Sequence, residues 1–407
     1  MIPAGCARPS TDRPRFEVAE IFRAHGAAYR ARYPLTCEQL KVMRAIENCR
    51  TAVLGGHVDV CLDCGHQKPA YNSCRNRHCP KCQGLDQRRW LDARMQTILP
   101  VPYFHIVFTV PSELHTIAIR NRAWFFNLLF QAATQSLLTL GNDPKRLGGQ
   151  LGITAVLHTW TRDLRFHPHI HCIVTGGGLS PDGKAWLDAR QNYLFPVLVL
   201  GSLFRGKMLD ALKRTEAGEE LDLPEDLQAQ GALAQLRSRL YKKNWNVYAK
   251  PPFGGPQEVY RYLGRYTHRV GLSNHRILDI KPDAITISTR GEKTATLEPE
   301  EFIRRYLLHV LPRAFVKIRH YGLFASSNLK TRLEVARELL DSRSGNAQES
   351  TPDCDQAATL KNTGANEDSP PPGQILTACP ACGSQNWVAL PEPKNRPPPT
   401  PAHSASQ

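Results

Sequence analysis

Apolar residues recur at helical spacing at Phe16, Val18, Ile21 and Phe22, and again at Leu40, Val42 and Ile46, so the chain is expected to be helical across 15–50. Cysteine-rich loops are expected over 57–84. A charged stretch at 86–98 reads as a connecting helix, which Pro100 and Pro102 end by removing backbone donors. Residues 103–110 are β-branched and aromatic, the composition of a strand. Residues 120–140 read as a buried helix. The segments 153–159 and 170–175 read as strands joined by a short polar loop, hence an antiparallel pair. Residues 205–250 are expected to be mainly helical, with an acidic patch at Glu216, Glu219, Glu220, Asp222, Glu225 and Asp226. The run 251–256 holds three prolines and breaks the chain before a further helix, and strands at 275–297 and a helix at 300–311 follow. From about 345 the chain holds eleven prolines and few large apolar residues, a composition that builds no core and is expected to be disordered. The pattern is α+β, divided as a helical and cysteine-rich unit at 1–98, a central domain at 99–330 and a Pro-rich tail at 331–407 with one CxxC pair.

Composition narrows the function. The chain has 407 residues, 41% hydrophobic, enough for two or three domains. Net charge is +15, which favours a polyanionic partner. Residues 346–407 hold three Lys/Arg against six Asp/Glu, so residues 1–345 carry +18. No run reaches the roughly 18–20 apolar residues that a membrane span needs, and no apolar signal segment opens the chain. Six of the twelve cysteines fall in three CxxC pairs, the usage expected of metal binding in a reducing, bacterial-type cytoplasm rather than of a disulfide framework.

Cys61-x2-Cys64 and Cys79-x2-Cys82 are separated by fourteen residues. Four thiolates in two knuckles at this spacing are expected to close a tetrahedral structural zinc site. Cys74 and His78 lie between the pairs as alternative ligands. Arg75, Arg77 and Lys81 make the module basic and are candidates for contact with DNA phosphates. The Cys379-x2-Cys382 pair cannot complete a site alone, and Cys354 is a distant third ligand at best.

The run from Phe166 to Cys172 places histidines at 167, 169 and 171. Side chains two apart in a strand share a face, so His169 and His171 present two imidazoles together. Neutral imidazole binds divalent metal, and phosphate oxygens complete the coordination that Mg²⁺ or Mn²⁺ prefers. His158 ends the preceding strand, roughly opposite 169–171, and is the first candidate for a third ligand. About ninety residues on, Tyr262 and Tyr266 are four apart and share one face of a helix. A tyrosine hydroxyl is a weak nucleophile with a pKa near 10. A metal that polarises a phosphate, with Arg265 and Arg269 neutralising charge nearby, makes attack feasible. The product would be a 5′-phosphotyrosine link and a free 3′-OH.

The chain resembles the rolling-circle transposases of the insertion sequence 91 type, within the HUH endonuclease superfamily. The resemblance spans roughly residues 15–330 and rests on the segments 71–82, 103–111, 167–171, 262–269 and 319–322. The family's histidine metal pair maps onto His169 and His171, and its paired nucleophiles map onto Tyr262 and Tyr266. The resemblance implies a Mg²⁺-assisted nickase and strand transferase acting on single-stranded DNA at element ends. It also implies a central antiparallel sheet flanked by helices and preceded by a zinc domain for DNA. The match weakens after Gly322, where 323–330 is less basic than the family's usual continuation. Three other readings remain: a plasmid replication initiator or relaxase of the same chemistry, a non-catalytic zinc-dependent DNA-binding protein, and a zinc hydrolase, which ranks low without an HExxH-like pattern. A nucleoid-associated location follows from the DNA reading.

Overall fold

The structure, a computed structural model, describes residues 14–215, 221–250, 271–346 and 378–392. The chain opens with helices α1 (Val18–Arg32) and α2 (Cys37–Asn48). Thr36 starts α2 with a capping box, its hydroxyl accepting from the Gln39 amide while the Gln39 side chain accepts from the Thr36 amide. Strands β1 (Gly56–Cys61) and β2 (Gln67–Tyr71) form a hairpin, followed by α3 (Gln83–Met95). The span expected as loops thus contains a short sheet.

The body of the molecule is a six-stranded antiparallel sheet in the order β11-β4-β5-β3-β7, with β6 pairing onto β5. Its strands are β3 (Tyr103–Thr109), β4 (Gln150–Trp160), β5 (Phe166–Leu179), β6 (Trp186–Asp188), β7 (Val247–Lys250) and β11 (Ile318–Gly322). Between β3 and β4 run the short α4 (His115–Arg120) and the long α5 (Arg122–Asn142); α6 (Val197–Thr215), α7 (Glu225–Gln228) and α8 (Ala232–Tyr241) lie between β6 and β7. Four residues of strand, β7, therefore sit inside a region expected to be helical.

Alternation along the strands makes two faces. Phe104, Ile106 and Phe108 of β3, Ile153, Ala155 and Leu157 of β4, and Ile170, Cys172 and Val174 of β5 join one core with Phe126, Leu129 and Phe130 of α5 and Phe204 and Met208 of α6. Each of the buried Phe, Ile, Leu, Val and Met side chains among these is worth about 1.5–3 kcal/mol of transfer free energy. The opposite face is divided. At one end Tyr103 and Ile173 pack with Trp186 and with Leu333, Ala336 and Leu340 of the helix Arg332–Asn346. The other end carries the histidines. Gly322 closes the sheet edge with a φ of 61°, and a Cβ there would stand 1.8 Å from the Leu151 carbonyl oxygen, so only glycine fits.

A second core joins α1 and α2 to a three-stranded sheet, β8 (Ile277–Ile280), β9 (Ile285–Ser288) and β10 (Thr294–Leu297), and to the helix Pro299–Leu307. Phe22 meets Tyr306 edge-on at 5.4 Å between centroids inside it.

Two stretches of the tail carry structure, so the expectation of a tail without order does not extend to them. One is the helix Arg332–Asn346. The other holds Cys379, Cys382 and strand β12 (Trp387–Glu392), which pairs antiparallel with β1. Composition averaged over sixty residues hides so short a segment, whose order comes from a partner far away in sequence. Among the described residues, no helix is long and apolar enough to cross a membrane.

Candidate metal centres

The histidine cluster is built by strand register. β4 and β5 pair so that His158 stands opposite His169, and β3 pairs so that His105 stands opposite Ile173 and Val107 opposite His171. The apolar neighbours Leu157, Ile170 and Cys172 point into the α5 core, which turns the histidines to the opposite face. The metal-binding atoms of His158, His169 and His171 lie within 4.8 Å of one another. The ring centroids of His158 and His171 are 4.3 Å apart, and those of His169 and His171 are 4.8 Å apart.

Hydrogen bonds orient these rings. His169 donates from Nδ1 to the carbonyl of His167 at 2.7 Å, which leaves Nε2 as its lone-pair nitrogen. His171 Nδ1 lies 2.8 Å from His105 Nε2. When His171 is the donor of that pair its Nε2 likewise carries the lone pair, the arrangement a metal ligand needs. Trp160 stacks on His158 at 4.7 Å. Burial holds His169 and His105 down at about 4 and pushes His171 well below the usual imidazole range, with the neighbouring histidines adding to the shift. The rings are therefore neutral near pH 7. Three imidazoles on one face, His158, His169 and His171, fit a divalent cation and leave positions for substrate oxygens.

The thiols divide differently from the sequence expectation of one site at Cys61, Cys64, Cys79 and Cys82. Cys79 and Cys82 gather with Cys49 and Cys74, while Cys61 and Cys64 gather with Cys379 and Cys382. The cause is the β1–β2 hairpin. It carries the first knuckle to the β12 side of the small sheet, away from the second, which follows β2 and faces the end of α2. Cys74 thus belongs to the second knuckle's group, as one of the alternatives allowed. Cys49 was missed; it is a solitary cysteine that caps α2, with no spacing signal of its own. In this first group Cys82 lies 3.5 Å from Cys49 and 3.6 Å from Cys74. Hydrogen bonds from Cys49, Cys74 and Cys79 push the Cys82 thiol far down, and those from Cys74 and Cys79 hold Cys49 at about 7.

His78 is not a ligand of either group. Its Nε2 accepts from the Leu311 amide at 3.1 Å, and its Nδ1 faces the Asn76 side-chain oxygen at 3.2 Å. Burial brings it down to about 3. Two of the three basic residues assigned to DNA in this module are engaged inside the protein instead. Arg77 donates to the carbonyls of Phe315 at 2.5 Å and Pro312 at 2.9 Å, and Lys81 pairs with Glu17. Only Arg75 of the three is exposed. The Arg77 and His78 contacts, with the Tyr306 hydroxyl donating to the His78 carbonyl at 2.6 Å, fasten the cysteine module to the helix Pro299–Leu307 and the loop after it. The Arg77 and His78 partners lie more than 200 residues away, out of reach of any local pattern.

Tyr262, Tyr266, Arg265 and Arg269 lie outside the described residues. The chain reaches that segment from Lys250, which pairs with His105, and leaves it at Gly271 beside Leu164 and His309.

A histidine-bearing antiparallel sheet joined to a cysteine module corresponds to two family models. One, described as "Putative transposase", matches residues 152–331, and the other, "Transposase zinc-binding domain", matches residues 21–110. The chain is 46% identical over 334 residues to "Putative transposase y4qJ" of Sinorhizobium fredii, covering 80% of this chain and 84% of the relative. It is 27% identical over 289 residues to "Transposase for insertion sequence element IS801" of Pseudomonas savastanoi pv. phaseolicola, covering 68% of each. No solved structure matches. The chain belongs to the insertion sequence 91 family of transposases with an N-terminal zinc-binding domain.

Proposed function

We propose that this transposase nicks single-stranded DNA at element ends by tyrosine attack and transfers the strand in a rolling-circle reaction. The observation that carries the reading is the convergence of His158, His169 and His171 on one face of the central sheet. In this reading these imidazoles hold Mg²⁺ or Mn²⁺. The cation, when bound, polarises the scissile phosphate and offsets its charge.

The protein's own groups do the rest. The Oη of Tyr262 or Tyr266 attacks phosphorus, the bond to the 3′ oxygen breaks, and the tyrosine proton is balanced by protonation of that oxygen. A 5′-phosphotyrosine and a 3′-OH result, and the second tyrosine permits a second transfer before the first strand is released. Arg265 and Arg269 neutralise the phosphate. The described residues that flank their segment are Lys250, which pairs with His105, and Gly271, beside His309, whose ring lies 5.9 Å from Trp160. DNA is the partner, and exposed Arg75 is the remaining candidate of the cysteine module for a phosphate contact. A nucleoid-associated site of action follows from that partner.

The test is covalent capture. Labelled single-stranded oligonucleotides that include the element's ends are mixed with protein and Mg²⁺ or chelator and run on a denaturing gel. A Mg²⁺-dependent protein–DNA band is expected. It should disappear in the Tyr262→Phe/Tyr266→Phe double variant and in His169→Ala/His171→Ala. A gel-shifted complex with no covalent band would favour a binding protein without catalysis.

A further inference from the structure

β12 pairs with β1 along the whole strand, from Gly56 opposite Glu392 to Cys61 opposite Trp387. It makes β1 the middle of a three-stranded sheet, β12-β1-β2. The two cysteine pairs flank the Cys61–Trp387 end of this pairing and have the same backbone. In the first, the Gly65 amide donates to the Cys61 carbonyl at 2.9 Å and the Cys61 amide donates to His66 at 2.9 Å. In the second, the Gly383 amide donates to Cys379 at 2.7 Å and the Cys379 amide donates to Ser384 at 2.7 Å. Gly65 and Gly383 both take left-handed backbone, with φ of 71° and 76°. Each Cys-x-x-Cys-Gly turn thus aims two sulfurs at the same point.

The four sulfurs meet there. Cys61 and Cys382 are 3.6 Å apart, and Cys64 and Cys379 are 3.5 Å apart. A tetrahedron of thiolates about 2.3 Å from zinc has edges of about 3.8 Å, close to these spacings, whereas a disulfide would need about 2.05 Å. Packing alone gives the small sheet little support. Val388 and Leu390 are 36% and 49% exposed, and β2 has no buried residue. So small a unit needs a metal or a disulfide to hold.

We propose that Cys61, Cys64, Cys379 and Cys382 bind a second structural Zn²⁺, completing a zinc ribbon whose halves come from opposite ends of the chain. Cys61 and Cys382 are 321 positions apart, so the metal ties the segment 378–392 to the N-terminal module and closes the catalytic region into a loop. The site is separate from the Cys49 cluster, and it stands whether or not the tyrosine chemistry does.

The full chain exchanged with ¹¹³Cd should give two NMR resonances in the four-thiolate range, which sulfur ligation separates from any cadmium at the histidines. Cys379→Ser/Cys382→Ser should remove one resonance, and native mass spectrometry should show one metal fewer than in the wild type. A single four-thiolate resonance in the wild type would overturn the proposal, as would two in the double variant. A non-reduced chain about 4 Da lighter than its reduced form would mean two disulfides instead of a metal. The wild-type spectrum decides the question even if the double variant fails to fold.

Discussion

Replacing Arg77 with alanine separates two roles that a basic residue beside a zinc knuckle can have. In the structure its guanidinium donates to two carbonyls, Phe315 and Pro312, on a loop remote in sequence. Charged hydrogen bonds of this kind contribute about 1.5–3 kcal/mol each. Neighbouring contacts are not additive, so about 2–4 kcal/mol is expected for the pair. The loss should reach the seam made by the His78 and Tyr306 contacts, because the same loop carries Leu311. Urea unfolding of the zinc-loaded protein measures the first effect, and amide exchange at 308–316 measures the second. DNA affinity per folded molecule should keep its salt dependence. Arg75→Ala should behave in the opposite way: stability within about 0.5 kcal/mol of the wild type, and a log–log salt slope shallower by about 0.7 on single strands if its one phosphate contact is lost. If Arg77→Ala left stability intact and flattened the salt slope, the guanidinium would have no internal role and the phosphate reading would stand.

Two further predictions use the buried groups. Cys49→Ser should lower the zinc content by one and loosen the seam between α2 and the second knuckle while leaving the Cys61 group loaded; unchanged metal content, read by mass spectrometry, would remove Cys49 from the ligand set. His309 is buried, donates from Nε2 to the Leu164 carbonyl and accepts at Nδ1 from Thr159, and burial lowers it to about 3. Its unfolded value is near 6.5, so its contribution is complete above that pH and is lost as pH falls toward 3. The loss is about 1.4 kcal/mol by pH 5.5. Urea titrations between pH 7 and 5 should show a shallower acid slope in His309→Asn than in the wild type, and equal slopes would refute the assignment.

The parts of the site that follow from local periodicity are legible in the chain. His169 and His171 share a face because a strand alternates, and His158 faces them because a short polar loop between two apolar strands forces antiparallel pairing. What spacing could not reveal is which knuckle meets which. Each CxxC pair is a competent half-site, and only the hairpin between them decides that Cys61 and Cys64 turn toward β12 while Cys79 and Cys82 turn toward α2. β7 and β12 were illegible for a related reason. They are four and six residues long, and both are ordered by partners already in the sheets rather than by their own composition.

The cysteine module therefore has two attachments of different kinds. One is hydrogen-bonded, through Arg77, His78 and the Tyr306 hydroxyl, and joins the Cys49 side to the body that carries the histidines. The other runs through β12 and the Cys61 group and joins the module to the end of the chain. Because α1 and α2 also share a core with the helix Pro299–Leu307, the Cys49 side cannot move without disturbing a buried apolar cluster. Among the described residues, the β12 side has no such core. Reagents that take metal from thiolates should therefore release the C-terminal segment well before they loosen the module from the central sheet.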